Sequence, residues 1–138
     1  MSNGYRPSAG VSPETSDTPS SFLKSDHTIE VPITISSAAR DSGNTPTTTL
    51  RPGLVLGRLN SSGKFKEYNN SRGDGTETAV CILRHQVKVV DSDGNACDAQ
   101  AVGVIHGYVD ASKLIGLDAN ARTDLDNILF DDEILKTS

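Results

Sequence analysis

The 138-residue sequence predicts a mainly β domain with one short C-terminal helix and a flexible N-terminal arm. Three observations lead there. Only 12 of the 48 apolar residues fall in 1–49, while 18 Ser or Thr and all but one of the six prolines do. From Leu50 onward, short β-branched and apolar segments recur between turns rich in Gly, Asn and Asp. The hydrophobic period then changes from two to the helical spacing after Asp118.

Two regions follow: an arm over 1–49 and a compact domain over 50–138. A Ser/Thr/Pro-rich segment with so few apolar residues buries too little surface to offset its ordering entropy, so 1–26 is expected to be disordered. Residues 27–36 differ. Ile29, Val31, Ile33 and Ile35 alternate with Glu30 and Thr34, the pattern of a strand with one apolar face. A strand inside a disordered arm needs a partner.

In the domain, Leu54–Leu59 and Lys64–Tyr68 flank Asn60-Ser61-Ser62-Gly63 and predict a hairpin with Gly63 at positive φ. Asn69–Gly75 reads as a polar loop. Thr78–Leu83 and Val87–Val90 read as strands, with a turn at Asp91–Asn95. Ala99–Ile105 and Tyr108–Val109 follow, with Gly107 marking a bend or bulge. Asp118 is the expected cap of a helix over Ala119–Leu129, burying Ala121, Leu125, Ile128 and Leu129 on one face. Asp131-Asp132-Glu133 is expected to stop it, and Ile134-Leu135 to add a last short strand.

Composition narrows the function. Thirteen basic against 18 acidic residues give a net charge of −5, the wrong sign for neutralising phosphates, so no nucleic-acid partner is expected. No apolar run approaches the roughly 20 residues of a membrane helix. The first residues lack the basic start and apolar stretch of a secretory signal. Two cysteines are too few for a disulfide scaffold. A soluble, acidic protein of a reducing compartment is the expectation.

Candidate chemical motifs are weak. Arg72-Gly73-Asp74 spells an integrin-recognition tripeptide, but a three-residue match is weak and a polar turn is the preferred reading. Asp91-x-Asp-Gly-Asn begins like a calcium loop, yet Ala96 and Val102 stand where the loop's Gly and bidentate Glu belong. Cys81, His85, Cys97 and His106 carry the right atoms for zinc at the wrong spacings, so no metal or cofactor is expected. No nucleophile elbow, zinc-protease motif or phosphate loop occurs, and the expected function is not enzymatic. The Asp124–Glu133 acidic cluster reads as a solvated helix end.

Four segments, in order, carry a resemblance: Leu50-Arg-Pro-Gly-Leu-Val-Leu-Gly57, Gly63-Lys-Phe65, Asp74-Gly-Thr-Glu-Thr-Ala-Val-Cys-Ile-Leu83 and Val104-Ile-His-Gly-Tyr-Val109. Together they resemble the tailed-phage head decoration protein family, over roughly residues 50–115. The family's usual Gly before Ile-Leu is Cys81 here, and the arm is longer. The resemblance implies a clip-like or tulip-like β fold. It also implies homotrimers at three-fold positions of the expanded capsid, a partner in the major coat protein, and no catalysis. Its place would be the outer surface of the viral head, after synthesis in the host cytoplasm. The rival expectation is a surface-displayed module binding a receptor or glycan, poorly supported by six aromatics and no Trp.

Within that resemblance the arm is expected to bind the coat, with Ile29, Val31, Pro32, Ile33 and Ile35 adding as a strand to a sheet edge of the coat protein or a neighbouring copy. Pro32 lacks an N–H, so it leaves a gap on the edge served by Glu30 and Thr34. Pairing is therefore expected on the opposite edge, through Ile29, Val31, Ile33 and Ile35. The alternative is that this strand joins the domain's own sheet.

Overall fold

A computed structural model describes residues 21–134. The described residues form eight strands, two short α-helices and a 3₁₀ turn. The strands are β1 (Ile29–Ile35), β2 (Thr49–Leu50), β3 (Val55–Arg58), β4 (Phe65–Glu67), β5 (Ala79–Leu83), β6 (Val87–Lys88), β7 (Ala99–Val109) and β8 (Ile128–Phe130). The 3₁₀ turn is Ala111–Lys113; the helices are α1 (Ala119–Asp124) and α2 (Asp131–Ile134). The fold is mainly β, as expected.

The main sheet runs β1-β4-β3-β5-β7-β8, and β1 also pairs with β7. That second pairing closes β1, β4, β3, β5 and β7 into a small barrel. The seam between β1 and β4 is a single parallel pair, Ile35 with Phe65. The seam between β1 and β7 is antiparallel and runs from Ile29–His106 to Ile35–Ala99. β2 and β6 form a separate two-stranded ribbon.

Two cores lie on either side of the β3–β5–β7 wall. Ile33, Ile35, Leu56, Cys81 and Leu83 point inward from the barrel's strands and meet Ala39, Leu50, Leu54 and Val89. Barrels of this size are filled by side chains rather than hollow. Gly103 marks how tight the filling is: a Cβ there would sit 2.8 Å from Cys81 Sγ and 3.3 Å from Ile33 Cδ1. The other face of the wall presents Val55, Ala79, Ile82 and Val104. Phe22, Tyr68, Ala121, Leu125, Ile128 and Phe130 cover it. Because the wall is buried on both faces, β3 and β5 read as continuous apolar runs rather than alternations.

The expected hairpin forms as β3–β4, with Leu56 opposite Glu67 and Gly63 at φ +75° in its turn. The Asp91–Asn95 turn also forms, with Gly94 at φ +84°. β5 carries an irregularity where Leu56 and Gly57 of β3 face Cys81 and Ala79, leaving Val80 as the extra residue; its side chain is 38% exposed.

Several expectations are corrected. Residues 21–49 are not a separate arm: Phe22, Ile35, Ala39 and Asp41 are each at most 1% exposed. A few side chains placed opposite an apolar wall fill it, however polar their neighbours. The part of the arm over 1–20 lies outside the described residues. β7 continues through Gly107 without a break, and the irregularity falls at Ile105, where His106 and Val104 pair with Ile29 and Glu30. The helix capped by Asp118 ends at Asp124 instead of Leu129. Ile128 and Phe130 are buried and Leu129 is 52% exposed, because this segment is a strand laid parallel to β7, with Ile128 opposite Gly107 and Phe130 opposite Val109. Asp131–Ile134 then makes a helical turn where a stop was expected; Leu135, half of the expected last strand, lies outside the described residues.

Candidate functional site

The expected coat-binding residues all lie on β1, and the structure gives them a partner inside the chain. Val31 pairs with Gly103, Pro32 with Val102 and Ile33 with Ala101. The Val102 carbonyl accepts from Arg84 N, on the β5 side. Successive peptide groups of a strand point to opposite edges. Pro32, opposite Val102, therefore turns its donor-less nitrogen away from β7. Ser36 N, on that same outer edge, donates to the Phe65 carbonyl of β4 at 2.8 Å. Around Pro32 the paired edge is the one inferred, with β7 as the partner, while past Ile35 the other edge meets β4.

Burial along β1 follows. Ile35 and Ile33 are 0% and 6% exposed, Val31 is half-buried, Pro32 faces solvent and Ile29 is 51% exposed. Near Ile29, the rings of His27 and His106 stand edge-to-face with centroids 5.3 Å apart. Glu30 holds Arg84 at 3.2 Å.

The outer edge of β1 opens into a cleft. With β4 touching β1 only at Ile35, the two diverge toward Pro32. The space between β1 and the β3–β4 hairpin measures ≈ 420 Å³. Arg58 and Lys64 supply its charged lining. Lys64 Nζ lies 2.6 Å from an Asp98 carboxylate oxygen and holds that carboxyl below its ordinary range. Sequence reasoning passed over Arg58; its only signal is a cation placed two residues before the hairpin turn in an acidic chain.

At the opposite end of β7 the first and last described segments meet. Leu23 bridges to Val109, Lys24 N donates to the Tyr108 carbonyl, and Lys24 Nζ sits 3.7 Å from Asp131. Arg122 lies over the Phe130 ring at 5.1 Å and is paired with Asp132 and Glu133 at 2.9 and 2.8 Å. These pairs use up part of the acidic cluster read as a solvated helix end.

The remaining motifs serve the fold. Arg72 donates to the Glu67 carbonyl and carboxylate, both at 2.7 Å. The Asp74 carboxylate accepts from Thr76 N at 3.0 Å. The tripeptide is thus tied into its own loop. Asp91 accepts from Asp93 N and Asn95 N, each at 2.9 Å. Cys81 is buried, and burial pushes its thiol up to about 12; His85 is exposed beyond the end of β5. Among the described residues, no three His, Cys, Asp or Glu side chains gather as metal ligands would, and no helix is long and apolar enough to cross a membrane. Tyr68 donates to Asp118 at 2.8 Å, and burial with that bond pushes its phenol up to about 12. Asp118 also caps α1 through Ala121 N.

The site is therefore a surface: the first and last described segments at one pole, a cationic cleft near the other, and a closed sheet between. A search of curated proteins returns no match. The family model described as bacteriophage lambda head decoration protein D matches residues 14–127, which takes in the inner core and all of the outer one but Ile128 and Phe130 and crosses the boundary expected at Leu50. The match spans most of the chain, so the protein belongs to the bacteriophage head decoration family, a structural family of the virion capsid.

Proposed function

We propose that this chain binds the outside of the expanded viral head as homotrimers at three-fold positions of the coat lattice and stabilises the shell. The carrying observation is the family match over residues 14–127. The work such a protein does is mechanical, and it asks for interface area rather than a reaction centre. The closed, two-core β fold suits that task. Three copies bound together multiply a modest affinity through effective concentration. The net charge of −5 keeps the protein from adhering to packaged DNA, and no nucleic-acid or membrane partner is proposed.

The coat contact is placed on the chain leading into the fold. Val31, Ile33 and Ile35 spend their donor edge on β7, and Pro32 blunts the other edge. What β1 offers outward is its first residue, Ile29, and the segment before it. That segment is proposed to supply the strand-like contact first expected of Ile29–Ile35.

Co-sedimentation with expanded empty capsids tests the reading. The full chain is expected to pellet with capsids in multiples of three per three-fold position. A chain lacking residues 1–20 is expected to stay folded and lose most of its binding. Density at two-fold positions, or isolated single copies, would refute the trimer. Full occupancy by the shortened chain would refute the role of the leading segment.

A further inference from the structure

The cleft beside β1 has a defined shape and carries, at Arg58 and Lys64, a charge opposite to the molecule's own. Its ≈ 420 Å³ lies inside the range of about 300–1,000 Å³ typical of clefts that hold a ligand. Pro32, Thr34 and Gln100 line one wall; Arg58, Ser62 and Lys64 line the other. Lys64 is answered by Asp98. Arg58 is exposed, and its guanidinium has no carboxylate or hydrogen-bond partner among the described residues. The occupant this lining favours carries a carboxylate.

It is not an added strand. An incoming strand would run along the outer edge of β1 and meet the missing N–H of Pro32, the device by which sheet edges refuse partners. A compact acidic tip meets no such obstacle, since a side chain alone can reach the guanidinium.

The same chain displays such a tip. The Asp91–Asn95 turn is closed by a bridge between Val90 and Ala96, and residues 91–96 are all exposed. The Asp91 carboxylate is engaged by Asp93 N and Asn95 N, which braces the loop. The Asp93 carboxylate has no partner among the described residues. Arg58 and Asp93 therefore do not satisfy each other within one chain. A second copy can bring them together.

We propose that the acidic turn Asp91–Asn95 of a second copy seats in the cleft between β1 and the β3–β4 hairpin, with its Asp93 carboxylate against Arg58. Two different patches meet, so the contact is head-to-tail, and three such contacts around a three-fold axis close a ring. The inference rests on the homotrimer reading and assigns that trimer its contact residues.

Two measurements on the full chain test it. Ser62→Cys and Asp93→Cys placed in the same chain should yield, on mild oxidation, covalent oligomers ending at the trimer, both in solution and on capsids. Neither single variant should do so. In sedimentation, Arg58→Asp and Asp93→Arg should each weaken self-association by about tenfold or more, as like charges facing each other do. The double exchange should restore it to within about threefold, since the pair is regained with its sign reversed. A wild-type trimer with no covalent product and unchanged association in Arg58→Asp overturns this contact and leaves the trimer standing. A wild type that is monomeric both in solution and on capsids overturns the trimer and the contact together.

Discussion

β1 and β8 lie on opposite edges of β7 and teach opposite lessons about reading a chain by its period. β1 has the alternation of a strand and is one, yet its surroundings are so polar that it looks detached from the core. β8 is embedded in the helical spacing after Asp118, yet its three residues are a strand. In β1 the local pattern was sufficient and the neighbourhood misled. In β8 the neighbourhood was persuasive and the pattern too short to object. The common factor is β7, eleven residues long, which offers edges to both. A long strand with free donors and acceptors on two sides organises whatever short segments can reach it, because its buried peptide groups must be paired.

The largest test of the contrast is deletion. Removing residues 1–40 takes away Phe22 and all of β1, strips one edge of β7 and opens the inner core. The expected result is loss of the cooperative thermal transition, whereas removal of 1–20 alone should leave it in place. A cooperative transition in the 1–40 deletion, followed by far-UV circular dichroism, would show that β1 is dispensable to the fold.

Single residues sharpen it. Ile35→Ala should cost about 2–5 kcal/mol, as for other fully buried branched side chains. Ile29→Ala, on the same strand but half exposed, should cost less than about 1 kcal/mol. Urea titration measures both, and equal losses would mean that the burial gradient along β1 is wrong.

Proline placement probes the edges separately. Val31→Pro removes a donor aimed at β7 and should cost about 2–4 kcal/mol, at the upper end of ordinary point mutations. Glu30→Pro removes one on the outer edge, together with the exposed pair to Arg84, and should cost about 1 kcal/mol or less. Hydrogen exchange at Ala101 and Gly103 should accelerate in the first variant and hold in the second.

A last test depends on pH. The Asp41 carboxylate is buried, 2.8 Å from Arg51 Nε, and the Arg51 guanidinium holds it below the usual carboxylate range. With its folded value depressed, it adds stability that is fully present above its unfolded value of about 3.9 and is lost as pH falls through the folded value. Asp41→Asn should cost about 1.5–3 kcal/mol at pH 7 and flatten the acid limb of a melting-temperature profile. An unchanged acid limb would place the acid sensitivity elsewhere.

Much was legible from residues alone. The β class, the hairpin closed by Gly63, the Asp91–Asn95 turn, the Asp118 cap and the pairing edge dictated by Pro32 all follow from local rules. Each depends on one or a few adjacent residues: a positive φ, a side-chain oxygen near a free N–H, or a missing donor. The family resemblance also rested on short local segments, and the family match spans them. Three matters were decided only by the tertiary structure: which strand β1 would join, where α1 would end, and that Arg58 would stand unpaired at a cleft. Each depends on β7 or the β3–β4 hairpin arriving from far along the chain. An edge donor is satisfied by whichever acceptor the fold brings within about 3 Å, and residue order does not name that acceptor in advance.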